Sequence, residues 1–463
     1  MKVSSIFVEP FVDKGLGNSA YLVGSRETKT AALVDPLRDV DRYLATAERL
    51  GVTLTHVLDT HLHNDFISGA RELAAQVGAR VGASAEAGLG FEHQPLAEGD
   101  QIPFGDVAIR VLHTPGHTPE HIAFLATEAD APVALFSGGA LMVGGAARTD
   151  LLGQDLAEPL ARDLYHTLHH KLLALPDHVS VYPTHGAGSF CAVPASSDRT
   201  TTIGRERTRN ALAFPQTEDE FVARALSGLP SYPVYYKEMR PINRRGPDVL
   251  GGVPELKPLT PREVHHYVEL GAAVLDIRPR RFFAAGHIPG AYGIQSDAPL
   301  VTWAGWLIPF GTPLMLLSES PADHEFAVRQ LIRIGYDRLL GYLAGGMEAW
   351  AAADMPIATV NAISTAELWE RLRGGERLAV LDVRQDSEWQ AGHIPGAIHI
   401  ENGRLPYDDL PLPTDRPIAV QCARGSRSMA AISVLSRRGY RDLLQVEGGI
   451  GAWEEAGFEV ERG

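Results

Sequence analysis

Cysteine is almost missing from this chain: its 463 residues include two, Cys191 and Cys422. Two thiols so far apart exclude a disulfide framework and fit a reducing cytoplasm. Positive charge is also in short supply. The formal net charge is −15, which argues against nucleic acid as the main partner, since phosphate binding needs clustered Lys and Arg. Long hydrophobic runs are missing as well. The most apolar segment, Pro132 to Ala147, is Gly-rich and falls short of the roughly 20 residues of a membrane-spanning helix. The start, MKVSSIFVEP, is broken by Glu9 before a secretory core can form. These absences imply a soluble, cytoplasmic protein with neither nucleic acid nor membrane as partner. The length exceeds what one hydrophobic core supports, so several domains are expected.

The second half carries an internal repeat. LDIRPRRFFAAGHIPGAYGI (Leu275 to Ile294) answers LDVRQDSEWQAGHIPGAIHI (Leu381 to Ile400), and GGMEAW (Gly345 to Trp350) answers GGIGAW (Gly448 to Trp453). Two copies of one domain follow, over 255–356 and 363–461. In each, β-branched runs alternate with amphipathic stretches, which implies a parallel-rich sheet covered by helices.

The segment PIAVQCARGSRS runs a buried strand into Cys422, then a short loop, then a helix. Backbone N–H groups of such a loop point at the sulfur. Arg424 and Arg427 add positive charge, so the pattern favours a nucleophilic cysteine over an inert one. Together, the Cys-x-x-Gly-x-Arg loop, the Asp-x-Arg strand and the Gly-His-Ile-Pro-Gly-Ala motif make both copies resemble rhodanese (sulfurtransferase) domains. The resemblance implies that Cys422 carries sulfane sulfur as a persulfide, with no cofactor. It also implies that Ala423, Gly425, Ser426 and Ser428 cradle the anion while Arg424 and Arg427 stabilise it. A related phosphatase loop places its Arg one residue farther on, so this shorter loop fits sulfur better than phosphate. In the first copy, Ser318, Glu319, Ser320 and Pro321 stand where Cys422 to Gly425 stand in the second. That copy is expected to be catalytically silent.

In the first half, TAALVDP, LTHVLDTHLH, ARVGAS, VAIRVLHTPGHT and APVALFSGG read as strands, with VDRYLATAERLG as a helix between two of them. Polar residues collect at the strand ends, where sites are usually built. His61, His63, Asp65, His113 and His185 all lie at such positions. A single histidine there is more often structural, but four with an aspartate point to a metal. Over 1–194 the pattern resembles the metallo-β-lactamase fold, an αββα sandwich. The fold expected for the whole chain is therefore α/β and multidomain: that sandwich, then two α/β rhodanese-like domains. GGAARTDLL after FSGG is similar to the persulfide dioxygenase branch. That resemblance implies one Fe(II) on two histidines and an aspartate, with zinc or no metal as alternatives.

The histidines of that site map onto His61 and His113. The aspartate maps onto Gly139, and Phe66 replaces a further histidine. Two substitutes for the missing ligand are open. His63 can complete a three-histidine set, or solvent, an anion or the persulfide can fill the gap. Asp65 is a ligand or an outer partner, and His185 is a further candidate. Arg148 is the candidate anchor for a carboxylate of a glutathione-like substrate, and Cys191 a candidate persulfide acceptor. The expected substrates are small persulfides, thiosulfate and thiols, and a homo-oligomer is compatible with the sequence. Oxidation of persulfide to sulfite is expected to be weak or absent. The alternatives are a non-catalytic persulfide-binding or scaffold module, or a metal-dependent hydrolase, which Phe66 disfavours. Residues 195–254 read as a connector: helical in TTIGRERTRNAL and EDEFVARAL, extended in YPVYYKEMRPINRRGPDVLGG.

Overall fold

The computed structural model describes residues 5–193, 196–296 and 300–463. The expected boundary at Pro194 and Ala195 lies outside the described residues. The chain forms two compact units: Met1–Tyr232, Tyr236–Pro254 and Ile332–Gly335 in one, Pro233–Tyr235, Glu255–Leu331 and Tyr336–Gly463 in the other. No helix among the described residues is long and apolar enough to cross a membrane.

In the first unit, β1 (Ile6–Val12), β2 (Ser19–Ser25), β3 (Thr30–Val34), β4 (Thr53–Leu58), β5 (Arg80–Ser84) and β6 (Gln94–Leu96) form one sheet in that order. Its first three strands are antiparallel and the rest parallel. The second sheet contains β7 (Gln101–Phe104), β8 (Val107–His113), β9 (Ile122–Glu128) and β10 (Ala131–Gly138). Short β11 (Ala146–Ala147) pairs with β13 (Ala192–Val193) beside it. The parallel strand β12 (Ser180–Pro183) and then β14 (Thr201–Thr202) complete the order β14-β12-β10-β9-β8-β7.

Three buried clusters define the layers. Tyr21, Val23, Val34 and Leu58 of the first sheet meet Val107, Ile109, Val111, Phe124 and Phe136 of the second. On the outer side of the first sheet, Tyr43 and Ala47 of α1 (Asp41–Leu50) and Leu73 of α2 (Ala70–Val77) pack on Leu22, Leu33 and Val57. On the outer side of the second, Leu164 of α3 (Gln154–His166) packs on Leu112, Leu125 and Leu135. This is the expected αββα sandwich, and each apolar face is covered as two-layer packing requires. The ends of β3, β4, β8, β10 and β12 all run into polar loops at which the site is built.

The connector is more regular than expected. After α4 (Ile203–Arg209) and α5 (Glu218–Ala225), the stretch read as extended holds α6 (Tyr236–Arg245). Pro241 lies inside this helix at the cost of one backbone donor and crowding of the preceding turn. Side-chain anchors from Arg240 and Asn243, described below, hold the helix in place.

The second unit repeats one sheet. In the first copy, β15 (Pro258–Leu259), β16 (Ala273–Asp276), β17 (Tyr292–Gly293), β18 (Leu314–Leu317) and β19 (Leu339–Leu343) take the order β15-β19-β18-β16-β17. In the second, β20 (Asn361–Ile363), β21 (Ala379–Asp382), β22 (Ile398–His399), β23 (Ile418–Gln421) and β24 (Leu443–Val446) take β20-β24-β23-β21-β22. All the pairings are parallel.

The repeated motifs are staples. Arg384 binds the buried Asp382 carboxylate and donates to Gly392 O at 2.7 Å. Arg278 does the same to Asp276 and to Gly286 O at 2.8 Å. His393 stacks on Trp389 at 3.5 Å, and His287 on Phe283 at 3.9 Å. These residues close a strand end onto the next loop, so a copy without a nucleophile still keeps them.

One close approach distinguishes the copies. A Cβ added to Gly449 (φ +56°) would lie 1.9 Å from the Cys422 carbonyl oxygen, whereas one added to Gly346 (φ +57°) meets nothing within 4 Å. Both alanine variants incur the left-handed backbone cost of about 1–3 kcal/mol, and Gly449→Ala adds the clash. Thermal unfolding of the full chain should show Gly449→Ala clearly less stable than Gly346→Ala; equal losses would contradict this packing.

A candidate histidine metal centre and a cysteine loop

The loop after β4 is Asp59-Thr60-His61-Leu62-His63-Asn64-Asp65-Phe66, buried apart from the half-buried Asp59. His61, His117 and His185 each offer a ring nitrogen, and these atoms lie within 4.8 Å of one another. Outer hydrogen bonds set the tautomer of each ring. His117 Nδ1 donates to Arg148 O at 2.7 Å, which leaves Nε2 bare, buried and without a hydrogen-bond partner. His185 Nδ1 faces two acceptors, Asn18 Oδ1 at 3.2 Å and Asp65 Oδ2 at 3.3 Å, so it carries the proton. The Thr60 hydroxyl gives its hydrogen to Asp35 Oδ2 at 2.8 Å, so its oxygen accepts from His61 Nδ1, also at 2.8 Å. The result is three lone pairs turned inward, with the Nε2 atoms of His61 and His185 3.4 Å apart.

Electrostatics favour the neutral form at His61 and His117. Burial, followed by the neighbouring imidazoles, pushes His61 well below the ordinary histidine range. Burial and then His185 do the same to His117. Three imidazoles converging in a buried pocket are the donor set a divalent transition metal takes, so these residues fit an ion.

His113 does not join this set, which corrects the expected ligand pair. It is the last residue of β8, in register with Ile122, and its side chain lies on the half-exposed face near Glu86 and Pro119 O. The chain then turns at Thr114-Pro115-Gly116, where a Cβ on Gly116 would lie 2.6 Å from Leu164 Cβ. That turn delivers His117, four residues on, to the centre. The second histidine of HTPGHT, outside the strand, was the available signal.

His63 turns away as well. Its Nε2 donates to Asp35 Oδ1 at 3.2 Å, and its ring stacks on buried Phe66 at 4.1 Å. Burial pushes the His63 imidazolium down, but Asp35, Asp59 and Asp65 outweigh this and its pKa is raised overall. The third imidazole is therefore supplied by His185. Asp65 serves that ring from outside: burial raises it, His185 lowers it further, and its carboxyl is held down at about 2. Two further groupings, His63 with Asp65 and His185, and Asp35 with Asp59 and His63, also lie within 4.8 Å. Phe66 fills the space beside His63 in both.

Gly139 leaves no room for a carboxylate. A Cβ there would lie 2.7 Å from His117 Cδ2 and 2.8 Å from Ala147 Cβ. Its N–H donates to His121 Nε2 at 3.0 Å, so this fifth buried imidazole, absent from the sequence reading, has its acceptor nitrogen in use. Burial lowers His121 to about 3.

Arg148 is a clamp, which differs from the expected substrate anchor. It holds Asp150 through Nε at 2.6 Å and Nη2 at 2.7 Å, donates to Pro230 O and Phe190 O, and covers the Tyr232 ring. Cys191 is fully buried behind the same loop, and burial, then Asp65, pushes its thiol well up. From α6, Asn243 accepts from Ser68 N and donates to the carbonyls of His63 and Phe66. Arg240 binds Glu120, which in turn accepts from Leu62 N. The connector thus braces the histidine loop, a role its composition did not reveal.

In the second unit, Cys422 follows β23 and is buried. Gly425, at φ 104°, directs its N–H to Cys422 Sγ at 3.0 Å and begins the helix Ser426–Arg437. Gln445 Nε2 fixes Gly425 O at 2.9 Å, and Ser428 also donates to that oxygen. Arg427 is bidentate to Glu388, at 2.5 and 2.7 Å. Arg424, Ser426 and half-buried Ala423 face outward. In the first copy the helix begins at Pro321, Ser318 donates to Ser320 O, and Ser320 caps Asp323 N. The four-residue cradle has no counterpart there.

A model of the metallo-beta-lactamase superfamily matches residues 13–186, and a rhodanese-like domain model matches 260–353 and 364–456. The chain is 33% identical over 187 residues to human mitochondrial persulfide dioxygenase ETHE1, covering 39% of this chain and 68% of that one. It is 37% identical over 170 residues to a hydroxyacylglutathione hydrolase of Rhodospirillum rubrum, covering 36% of this chain and 62% of that one. A solved metallo-beta-lactamase structure from Staphylococcus aureus subsp. aureus COL superposes with a TM-score of 0.66 at 30% identity, over 73% of this chain and 99% of that one.

Asn243→Ala would leave a donor and two carbonyls under the loop unpaired, at about 1–3 kcal/mol for each group that stays dry. Metal analysis after chelator dialysis should show weaker retention than wild type. Gly139→Asp should lower retention too, because its side chain displaces the His117 ring. Tighter metal binding by Gly139→Asp would contradict the geometry.

Proposed function

The chain belongs to the metallo-beta-lactamase superfamily, in its persulfide dioxygenase line, and carries two rhodanese-like domains; on that premise we propose a sulfur-handling enzyme. Cys422 transfers sulfane sulfur, and His61, His117 and His185 hold a divalent metal, iron first, beside which persulfide is oxidised slowly. Supporting the first part is the Gly425 N–H on Cys422 Sγ. Supporting the second is the convergence of three imidazoles whose outer nitrogens are all engaged.

For sulfur transfer, the Cys422 thiolate attacks the outer sulfur of thiosulfate. The S–S bond breaks and its electron pair leaves on sulfite, giving a Cys422 persulfide. An acceptor thiolate or cyanide then takes the outer sulfur, and the Cys422 thiolate returns. The loop N–H groups bear the negative charge at each stage. Arg427, neutralised by Glu388, holds the loop and the helix that carries Glu388 together.

At the histidine centre, bound iron would supply coordination positions for oxygen and for the persulfide sulfur. The chain holds the His61 and His117 imidazoles neutral and keeps all three rings fixed and buried. With no carboxylate at Gly139, the ligand set carries no charge, which favours an anionic persulfide and weakens the site relative to a carboxylate-containing one. Phe66 against His63 disfavours a second metal and hence the hydrolase reading. The missing carboxylate favours one further reading, in which the first unit binds metal and persulfide without oxidising it. Substrates on either reading are small persulfides, thiosulfate and thiols, in the cytoplasm.

Cys422→Ser should lose transfer from thiosulfate to cyanide by about a thousandfold or more, and Cys191→Ser should keep it. Full activity in Cys422→Ser would end this reading. Oxygen uptake with glutathione persulfide, after anaerobic Fe(II) loading, should persist in Cys422→Ser and vanish in His117→Ala. Retained metal without uptake in wild type would leave the binding-only reading.

A further inference from the structure

The anion site at Cys422 is not built by the second copy alone. We propose that Arg280, from the first rhodanese-like copy, binds the anionic end of the sulfur donor at the Cys422 loop of the second. This rests on the sulfurtransferase reading above.

Four observations carry it. First, Gly425, whose N–H holds Cys422 Sγ, turns its Cα toward both Gln445 Nε2 and the Arg280 guanidinium. An added Cβ there would lie 3.5 Å from Cζ and 3.6 Å from Nε of Arg280. Arg280 Nη1 also donates to Ser426 Oγ at 3.3 Å. Second, the join between the copies is well packed. Met429, one turn along the loop's helix, lies in the first copy's buried cluster with Phe283 and Ile288. Arg437 of the same helix bonds Gly290 O and covers the Tyr292 ring at 4.4 Å.

Third, the loop's own cations are engaged or face away. Arg427 is bidentate to Glu388, Arg384 is committed to Asp382 and Gly392 O, and Arg424 is exposed. Arg280 is exposed and has no ion pair among the described residues. Fourth, the repeat places Arg280 opposite Asp386: LDIRPR in one copy answers LDVRQD in the other. A base in the first copy replaces an acid in the second, and it is the first copy's residue that reaches the Cys422 loop. The copy that lacks a nucleophile thus supplies a cation to the copy that has one.

The chemistry follows. A planar guanidinium matches the oxygens of a sulfonate end or a carboxylate through paired N–H groups. It would bind thiosulfate in the ground state and stay beside the departing sulfite. Arg280→Ala should raise KM for thiosulfate roughly tenfold or more with a smaller change in kcat, and Arg280→Lys should recover part of the loss. The binding test needs no turnover: thiosulfate is titrated calorimetrically into Cys422→Ser and into Cys422→Ser/Arg280→Ala. The proposal expects weaker affinity in the double variant and a steeper salt dependence in the single one. Equal affinity and unchanged KM would overturn it, and so would no thiosulfate binding by Cys422→Ser. If wild type transfers no sulfur yet thiosulfate binds through Arg280, the sulfurtransferase reading fails and the anion site stands.

Discussion

The histidine centre depends on one buried carboxylate, Asp35, at the end of β3. It accepts from Thr60 N at 2.7 Å, from the Thr60 hydroxyl at 2.8 Å, from the Thr184 hydroxyl and from His63 at 3.2 Å. Burial raises its pKa, but His63 and the other donors outweigh this and hold the carboxyl down. Through Thr60 it sets the His61 tautomer, and through Thr184 it fixes the residue before His185. Asp35 sits at φ 49°, an uncommon conformation for a non-glycine residue. Such backbone persists where the surroundings over-determine it, as four converging donors do here.

The imidazoles are positioned without any carboxylate at position 139. A carboxylate ligand contributes charge, but the position and tautomer of the imidazoles come from elsewhere. His61 is oriented by Thr60, His117 by the Arg148 carbonyl, and His185 by Asn18 and Asp65. The His117 ring and Ala147 Cβ fill the space a side chain at Gly139 would need. The pocket is thus packed around glycine.

Much of this architecture is legible in the sequence because it is periodic. Alternating strands, the Asp-x-Arg and Gly-His-Ile-Pro-Gly-Ala repeats and the Cys422 loop are local patterns, and local patterns fix local structure. His113 and His117 are harder to separate, since both lie in HTPGHT. Only the β8 register and the packing of Gly116 on Leu164 decide which one turns inward. Arg148 and α6 escaped for a related reason. Their partners, Asp150, Pro230, Tyr232, Ser68 and the carbonyls of His63 and Phe66, are tertiary, and several are distant in sequence. Asn18 lies in no motif, and the strand and repeat patterns around Asp35 and Arg280 do not reveal their partners.

The geometry gathers His61, His117 and His185 as the proposed metal-holding set and leaves His113 outside it. The direct measurement is metal content of the full chain after anaerobic Fe(II) or Zn(II) loading and desalting, for wild type, His185→Gln and His113→Gln. Wild type and His113→Gln should retain the ion, and His185→Gln should lose it. Retention by His185→Gln together with loss by His113→Gln would contradict it.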